Sequence, residues 1–263
     1  RPSLRSSVVV GVGGYASAPT LIAANNFGIP VVVQEQNSYA GKANKLVAKK
    51  AKCVCTAYPH MRRFFPDTPE IVLTGNPIRH SLMEIERKSR AAYATFDLVP
   101  DKKTLLILGG SLGAGSINKS ILESLSQLAY REDLQVIWQC GQNHYAALES
   151  QVRDFDSVHL MPFISEMDHA YSIADLVISR AGAGTISELT ALGLPMILIP
   201  SPNVARGSPD TQCSVARRSG SGTPRTGRQG SDRPRTDGTR SAEPSGAVRA
   251  DGSGGQGAGT TRC

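Results

Sequence analysis

Glycine and small polar residues gather at three places in this 263-residue chain where an apolar run gives way to a helical pattern. Gly109-Gly110-Ser111-Leu112-Gly113 follows the run 105–108. Glycine at such a turn lets backbone N–H groups near a helix N-terminus face an anion, usually a phosphate, and Ser111 adds a hydroxyl donor. A tight turn without any ligand fits the same five residues. Arg180-Ala181-Gly182-Ala183-Gly184-Thr185 leads into Ile186-Ser187-Glu188. The same argument applies there, and the Glu188 carboxylate is suited to accept two hydroxyls of a sugar; first-turn capping or compensation of the helix dipole is the plain alternative. Gly11-Val12-Gly13-Gly14 precedes Tyr15 and Ser17, a weak pattern when taken alone. Gln34-Glu35-Gln36-Asn37 sets four polar side chains just past an apolar run, at the kind of strand end where open α/β sheets bind ligands. A solvated loop is the alternative. Together these clusters point to a nucleotide or phosphosugar site between two α/β domains.

The elements that must position them are short and regular. Apolar runs at 8–11, 30–34, 53–57, 71–74, 104–108, 135–139, 158–161, 176–179 and 196–199 are rich in Val and Ile, as expected of strands buried on both faces. Helical patterns fall between them at 18–27, 43–50, 117–128 and 185–192. In the third, Ile117, Ile121, Leu122, Leu125 and Leu128 recur at three- and four-residue steps. This alternation predicts doubly wound α/β sheets. A charged helical stretch over 79–94 follows Gly75-Asn76-Pro77 and marks a seam. The division read from it is 1–79 for part of a first domain, 80–103 for a linker with a helix, 104–205 for a second domain and 206–263 for a tail.

That tail dominates the charge. Its 58 residues hold ten Arg, twelve Gly and no Lys, Leu, Ile, Met, Phe, Tyr or Trp, and it carries +5 of the formal +7. The basic balance therefore says little about what the folded part binds. So few apolar side chains cannot offset the entropy of ordering, and disorder is expected over 206–263. No apolar run approaches the roughly 20 residues of a membrane-spanning helix. The chain opens on Arg1 without a charged-then-apolar leader, so a fragment of a cytoplasmic protein is expected. Cys53 and Cys55 read as small apolar residues in or beside a strand; with Cys140, Cys213 and Cys263 they fit a reduced compartment, and C-x-C without a second pair is a poor zinc signal. His60, His80, His144, His159 and His169 read as structural or exposed. Arg62-Arg63 beside Phe64-Phe65 fits a membrane-touching pair or, more simply, a solvated helix end with a buried Phe.

Six segments in order carry a resemblance: GVGGYASAP (11–19), QEQNSYAGKANK (34–45), TGNPIR (74–79), GGSLGA (109–114), PFISEM (162–167) and SRAGAGTISEL (179–189). They resemble the signature blocks of the MurG family of peptidoglycan N-acetylglucosaminyltransferases, over roughly 8–205. The resemblance implies a GT-B fold of two Rossmann-like doubly wound domains, both incomplete here. It implies an inverting, metal-independent transfer of N-acetylglucosamine from UDP-GlcNAc to lipid I, undecaprenyl-pyrophosphoryl-MurNAc-pentapeptide, giving lipid II, with no cofactor. It implies peripheral attachment to the cytoplasmic face of the bacterial inner membrane, other cell-wall synthesis proteins as partners, and no nucleic acid. By position, Ile164 meets the uracil through its backbone, Arg79 and Ser111 contact the donor, and Glu188 holds the ribose hydroxyls. Ala183, Gly184, Thr185, Ile186, Ser187 and Glu188 form the loop around the nucleotide, with Gly109 and Gly110 as a phosphate loop. Asn37 meets the donor sugar, while Tyr15 and Glu35 lie toward the acceptor side.

The family's glycine-rich GGTGGH-like loop, whose His is often discussed as the base, is absent, so the catalytic residue is not assigned and this chain is expected to be inactive. Leu112 stands where many members have Gln. After Ala205 the family continues E/D-D-H-Q-x-x-N-A, with Gln residues that meet the donor sugar. Arg206 to Cys213 admits codons that read EDHQTRNA once the first base is dropped, so 206–263 is expected to be an out-of-frame translation. An Arg/Gly segment binding RNA or anionic lipid is the alternative for the tail, against which stand its acids and its lack of aromatics. For the body, the rivals are another UDP-sugar enzyme of the same fold, such as a UDP-GlcNAc 2-epimerase, and a UDP-sugar-binding remnant without catalysis.

Overall fold

The computed structural model describes residues 6–201. The tail over 206–263, with Cys213 and Cys263, lies outside the described residues, as do the expectations attached to it.

The chain begins with β1 (Val9–Gly11), α1 (Ser17–Asn26), β2 (Val31–Glu35), α2 (Lys42–Ala48), β3 (Cys53–Thr56), a 3-10 turn at Met61–Phe64, and β4 (Ile71–Leu73). These four strands form one parallel sheet in the order β1-β2-β3-β4, with Val33 beside Val54 and Val54 beside Ile71. Right-handed crossovers that always step the same way keep their helices on one face. There Leu21, Val31, Val33, Val47, Val54 and Phe65 form the core. The expectation that every strand is buried on both faces fails in this sheet: Val10 and Val72 stand exposed, and Leu73 is 59% accessible. Val10, Val32 and Cys53 adjoin in register, and no described helix covers them completely. Phe65 is buried while Arg62 donates to the Thr68 carbonyl, which is the simpler of the two readings of that segment.

Next come α3 (His80–Met83) and α4 (Arg90–Thr95), then β5 (Lys103–Leu108), α5 (Gly115–Glu123), α6 (Leu125–Ala129), β6 (Leu134–Gln139), α7 (Tyr145–Val152), β7 (Val158–Met161), α8 (Met167–Ile173), β8 (Leu176–Arg180), α9 (Ala183–Ala191) and β9 (Met196–Ile199). Their sheet is parallel, in the order β7-β6-β5-β8-β9. It is buried on both faces except at the β9 edge, where Ile197 is exposed, and all six residues of β6 are buried. Leu106, Ile137 and Val177 face one core, while Ile107, Val136 and Trp138 face the other. Each fully buried aliphatic side chain of this kind contributes about 1.5–3 kcal/mol.

All nine predicted strands form, each within one residue of its expected ends. Two helical expectations need correction. The pattern over 117–128 breaks at Ser124, whose N–H is shared between the Ser120 and Ile121 carbonyls as the last turn of α5 tightens. The stretch over 79–94 is not one helix. Lys88 adopts φ 59°, and residues 84–89 leave helical geometry to bind the end of α8.

Candidate functional site

β5 and β8 are neighbours, yet the chain leaves β5 toward β6 and β8 toward β9, on opposite sides. Between two strands whose connections diverge, the carboxyl ends open a crevice, the usual ligand position in a doubly wound sheet. The turns 109–113 and 180–185 follow these two strands. A cavity of about 430 Å³ opens there, lined by Gly109 and Gly110 on one side and by Gly182, Thr185 and Glu188 on the other, with Ile164 and Arg79.

The loop after β5 is held by close backbone packing. Gly113 (φ +82°) and Gly141 (φ +88°) abut, so a Cβ at Gly141 would sit 2.2 Å from the Gly113 nitrogen. Only glycine meets both demands, the left-handed backbone and the missing side chain. The ring of His144 packs against the same glycine. Gly110 (φ +77°) turns the loop toward the cavity, and α5 starts at Gly115. Ser111 lies on the exposed part of the loop, outside the cavity lining. Arg180 adds charge beside the loop: its guanidinium donates to Ser116 Oγ at 2.7 Å and to the Pro200 carbonyl at 2.8 Å.

Across the cavity, Glu188 is fixed from two directions. The Tyr171 hydroxyl donates to its Oε2 at 2.9 Å, and Arg79 stands 3.6 Å from its Oε1. Tyr171 is 2% exposed. Burial, and then the Glu188 charge, push its phenol well above the ordinary range, so it remains a donor throughout physiological pH. Arg79 is half exposed, so this ion pair adds little stability; its charge is the more useful property. The C-terminus of α8, which carries Tyr171, is tied down by the linker. Arg87 donates to the Tyr171 and Ala174 carbonyls, and Lys88 donates to the Ile173 carbonyl at 2.6 Å. These cations satisfy carbonyls that a helix end leaves without partners. Lys88 also meets Asp175 at 2.7 Å. Burial alone would raise the Asp175 carboxyl, but the bonds from Lys88 and the Thr104 N–H, with the charges of Lys88 and Lys103, hold it below its usual value.

Of the segment 183–188, Thr185 and Glu188 face the cavity. Ile186 is buried with Leu198 instead. Ser187 Oγ donates to the Ala183 carbonyl at 2.8 Å and accepts from Asn76 Nδ2 at 3.0 Å. Asn76 also donates to the Gln36 carbonyl and accepts from Gln34 Nε2, so a chain of bonds runs from the end of β2 to the start of α9. Ala183 and Gly184 begin that helix and lie outside the cavity lining.

At the first sheet, Glu35 is buried at 1% exposure. Its Oε1 accepts from the Asn37 N–H (3.0 Å) and Nδ2 (3.3 Å), and its Oε2 from the Gly41 N–H (2.8 Å) and Asn44 Nδ2 (2.8 Å). Glu35 thus organises the loop 36–41 rather than presenting a free carboxylate, and Asn37 is half buried above it. Tyr15 is 91% exposed.

Among the polar residues that line the cavity, Tyr171 and Gln139 were not singled out in the sequence, and Arg180 appeared there only as the first residue of the second glycine turn. Gln139 and Arg180 end strands, a signal that was available; Tyr171 lies inside a helix and gave none. Gln139 Oε1 is a buried acceptor with no protein partner. None of the five His lines the cavity; His159 is half buried, and burial lowers its pKa. Cys53 and Cys55 lie in β3, and Cys140 is buried. Among the described residues, no group of three His, Cys, Asp or Glu side chains could hold a metal ion, and no helix is long and apolar enough to cross a membrane. The arrangement offers glycine-loop N–H groups and cations for phosphate, a fixed carboxylate for a diol, and an apolar wall at Ile164 for a base.

The sequence signature of the glycosyltransferase family 28 C-terminal domain matches residues 104–214, and that of the family's N-terminal domain matches residues 3–56. The UDP-N-acetylglucosamine--N-acetylmuramyl-(pentapeptide) pyrophosphoryl-undecaprenol N-acetylglucosamine transferase of Parabacteroides distasonis is 52% identical over 203 residues, covering 76% of this chain and 55% of that protein. The chain thus spans about half the length of this relative. Among solved structures, Acinetobacter baumannii MurG superposes with a TM-score of 0.61 at 33% identity, over 80% of this chain and 57% of that one. UDP-GlcNAc 2-epimerase from Neisseria meningitidis shares the fold, with a TM-score of 0.59 at 16% identity, over 80% of this chain and 61% of that one. By its two matched domain signatures and its close relatives, the chain belongs to glycosyltransferase family 28, on the MurG branch.

Proposed function

We propose that this chain carries the donor site of an inverting transferase that moves N-acetylglucosamine from UDP-GlcNAc to undecaprenyl-pyrophosphoryl-MurNAc-pentapeptide, working at the cytoplasmic face of the inner membrane. The observation that carries the reading is the cavity at the ends of β5 and β8, where Glu188 faces a glycine loop across a space of about 430 Å³.

In this reading the diphosphate lies against the 109–113 loop, the ribose diol donates to Glu188, and the uracil rests by Ile164. The acceptor hydroxyl attacks the anomeric carbon from the face opposite the diphosphate. The new C–O bond forms as the bond to the β-phosphate oxygen breaks, and UDP departs with that electron pair. Backbone N–H groups and the Arg79 and Arg180 charges, aimed where negative charge grows, lower the barrier without rearranging. The hydroxyl proton needs a base, and none is assigned among the described residues.

Calorimetry with UDP-GlcNAc tests the site, and lipid I-dependent release of UDP by this chain would overturn its expected inactivity. Saturable binding that Glu188→Ala weakens at least tenfold is expected. Absence of binding, or binding indifferent to Glu188, overturns the donor-site reading. Epimerisation of the sugar without lipid acceptor would assign the site to the epimerase chemistry instead.

A further inference from the structure

We propose that Tyr171 is a positioning residue for the ribose-binding carboxylate, its phenolic hydroxyl holding Glu188 in the rotamer that presents both oxygens to a vicinal diol. The inference rests on the donor-site reading above. A glutamate has three side-chain torsions, and left alone on the surface of α9 it would sample many rotamers, each costing affinity in proportion to its population. Here the hydroxyl of Tyr171 occupies one acceptor position of Oε2 at 2.9 Å, and Arg79 approaches Oε1 at 3.6 Å. A carboxylate has about four acceptor positions. The Tyr171 hydroxyl engages one, Arg79 stands off as a charge, and each oxygen keeps at least one for the cavity that Glu188 lines, as a 2′,3′-diol requires.

The phenol is itself immobile. Its ring is packed in the core with Leu106, Ile137 and Leu189. Its backbone carbonyl accepts from Arg87, so the last turn of α8 is clamped by the linker that follows Arg79 in the chain. Tyr171 therefore transmits the rigidity of the second core to one side chain of the site. Core filling alone would be served as well by Phe; the hydroxyl is the feature that packing does not explain.

Three forms of the full chain, unmutated, Tyr171→Phe and Glu188→Gln, are titrated calorimetrically with UDP and with 2′,3′-dideoxy-UDP, and their thermal melting is recorded. The hydroxyl borders the cavity, so its removal leaves a carboxylate oxygen that water can reach rather than a void. Y171F is thus expected to melt as the parent does. It should bind UDP about tenfold more weakly, the scale of one charge-assisted hydrogen bond, and bind dideoxy-UDP as the parent does. An equal loss for both nucleotides would make Tyr171 merely structural, and unchanged UDP affinity would remove its role; either overturns the proposal. E188Q separates the two levels of the argument. If it weakens UDP but Y171F does not, the inference about Tyr171 fails alone. If neither E188Q nor loss of the diol matters, or UDP does not bind, the donor-site reading fails and the inference falls with it.

Discussion

Replacing Glu35 removes an acceptor shared by four donors, the Asn37 N–H and Nδ2, the Gly41 N–H and Asn44 Nδ2, at 2.8 to 3.3 Å. Hydrogen bonds to a charged group contribute about 1.5–3 kcal/mol each, but four on one carboxylate are not additive. Breaking a buried charged cluster by deleting one member costs about 3–5 kcal/mol. Gly41 is exposed and Asn37 half buried, so water can reach two of the abandoned donors, which places Glu35→Ala near the lower end of that range. Glu35→Gln keeps the volume but turns one oxygen into a donor facing other donors, and about 2 kcal/mol is expected. The loop has little margin, since Ser38 Oγ and Asn44 Oδ1 are already buried without partners.

Urea unfolding measures the loss, and hydrogen exchange locates it. Exchange of the Asn37 and Gly41 amides should accelerate, while Trp138, the single tryptophan and fully buried in the second sheet, keeps its blue-shifted emission at low denaturant. Loss below about 0.5 kcal/mol in E35Q, the size of an ordinary surface substitution, with unchanged exchange at Asn37 and Gly41 would refute the account.

The acid limb of stability should depend on Asp175. Its carboxyl is held below 3.8, so its contribution is complete above that pH and disappears as pH falls through the lower folded value. Melting followed from about pH 6 to about pH 2 should show a drop at the acid end that Asp175→Asn abolishes; a parallel curve for the variant would contradict it. Gly141→Ala would drive a Cβ to 2.2 Å from the Gly113 nitrogen at φ +88°, so a loss of at least about 2 kcal/mol and weaker UDP binding are expected by melting and calorimetry. A stable variant with parent affinity would show that the 109–113 loop does not hold the diphosphate. Sequencing the coding DNA across Ala205 should find one surplus base, with EDHQTRNA restored when it is removed; a continuous frame without it would remove the out-of-frame reading of 206–263.

The strands were legible because each is a short Val/Ile run between turn residues, and burial on both faces of the second sheet leaves no polar alternation to confuse them. The same regularity misled for the first sheet. Val10 and Val72 look like core residues in the sequence, yet no described element covers them, and covering depends on partners that a run of five residues does not encode. The helical stretch over 79–94 failed for a related reason. Charged residues at helical spacing describe a solvated helix equally well as a linker, and here Arg87 and Lys88 are drawn out of helical geometry by the carbonyls at the end of α8, more than eighty residues away.

At the site, what could be read was backbone chemistry, and what could not was side-chain support. Glycine-rich turns stand out in a sequence, so 109–113 and 182–185 were visible at the two strand ends where the topology later opened the cavity, although only the first takes up a left-handed backbone, at Gly110 and Gly113. Glu188 was visible from its place near a helix start. Glu35 was also visible, but its role was not. A carboxylate after an apolar strand looks free to bind a ligand until four local donors are found around it. Tyr171 gave the opposite failure: its ring belongs to the core and only its oxygen belongs to the site, so residue type alone assigns it to packing. Whether a polar atom faces a ligand or another side chain is decided by contacts between distant elements. Such contacts leave no periodic trace in sequence, and that is why the carboxylate of this site was legible and the hydroxyl that holds it was not.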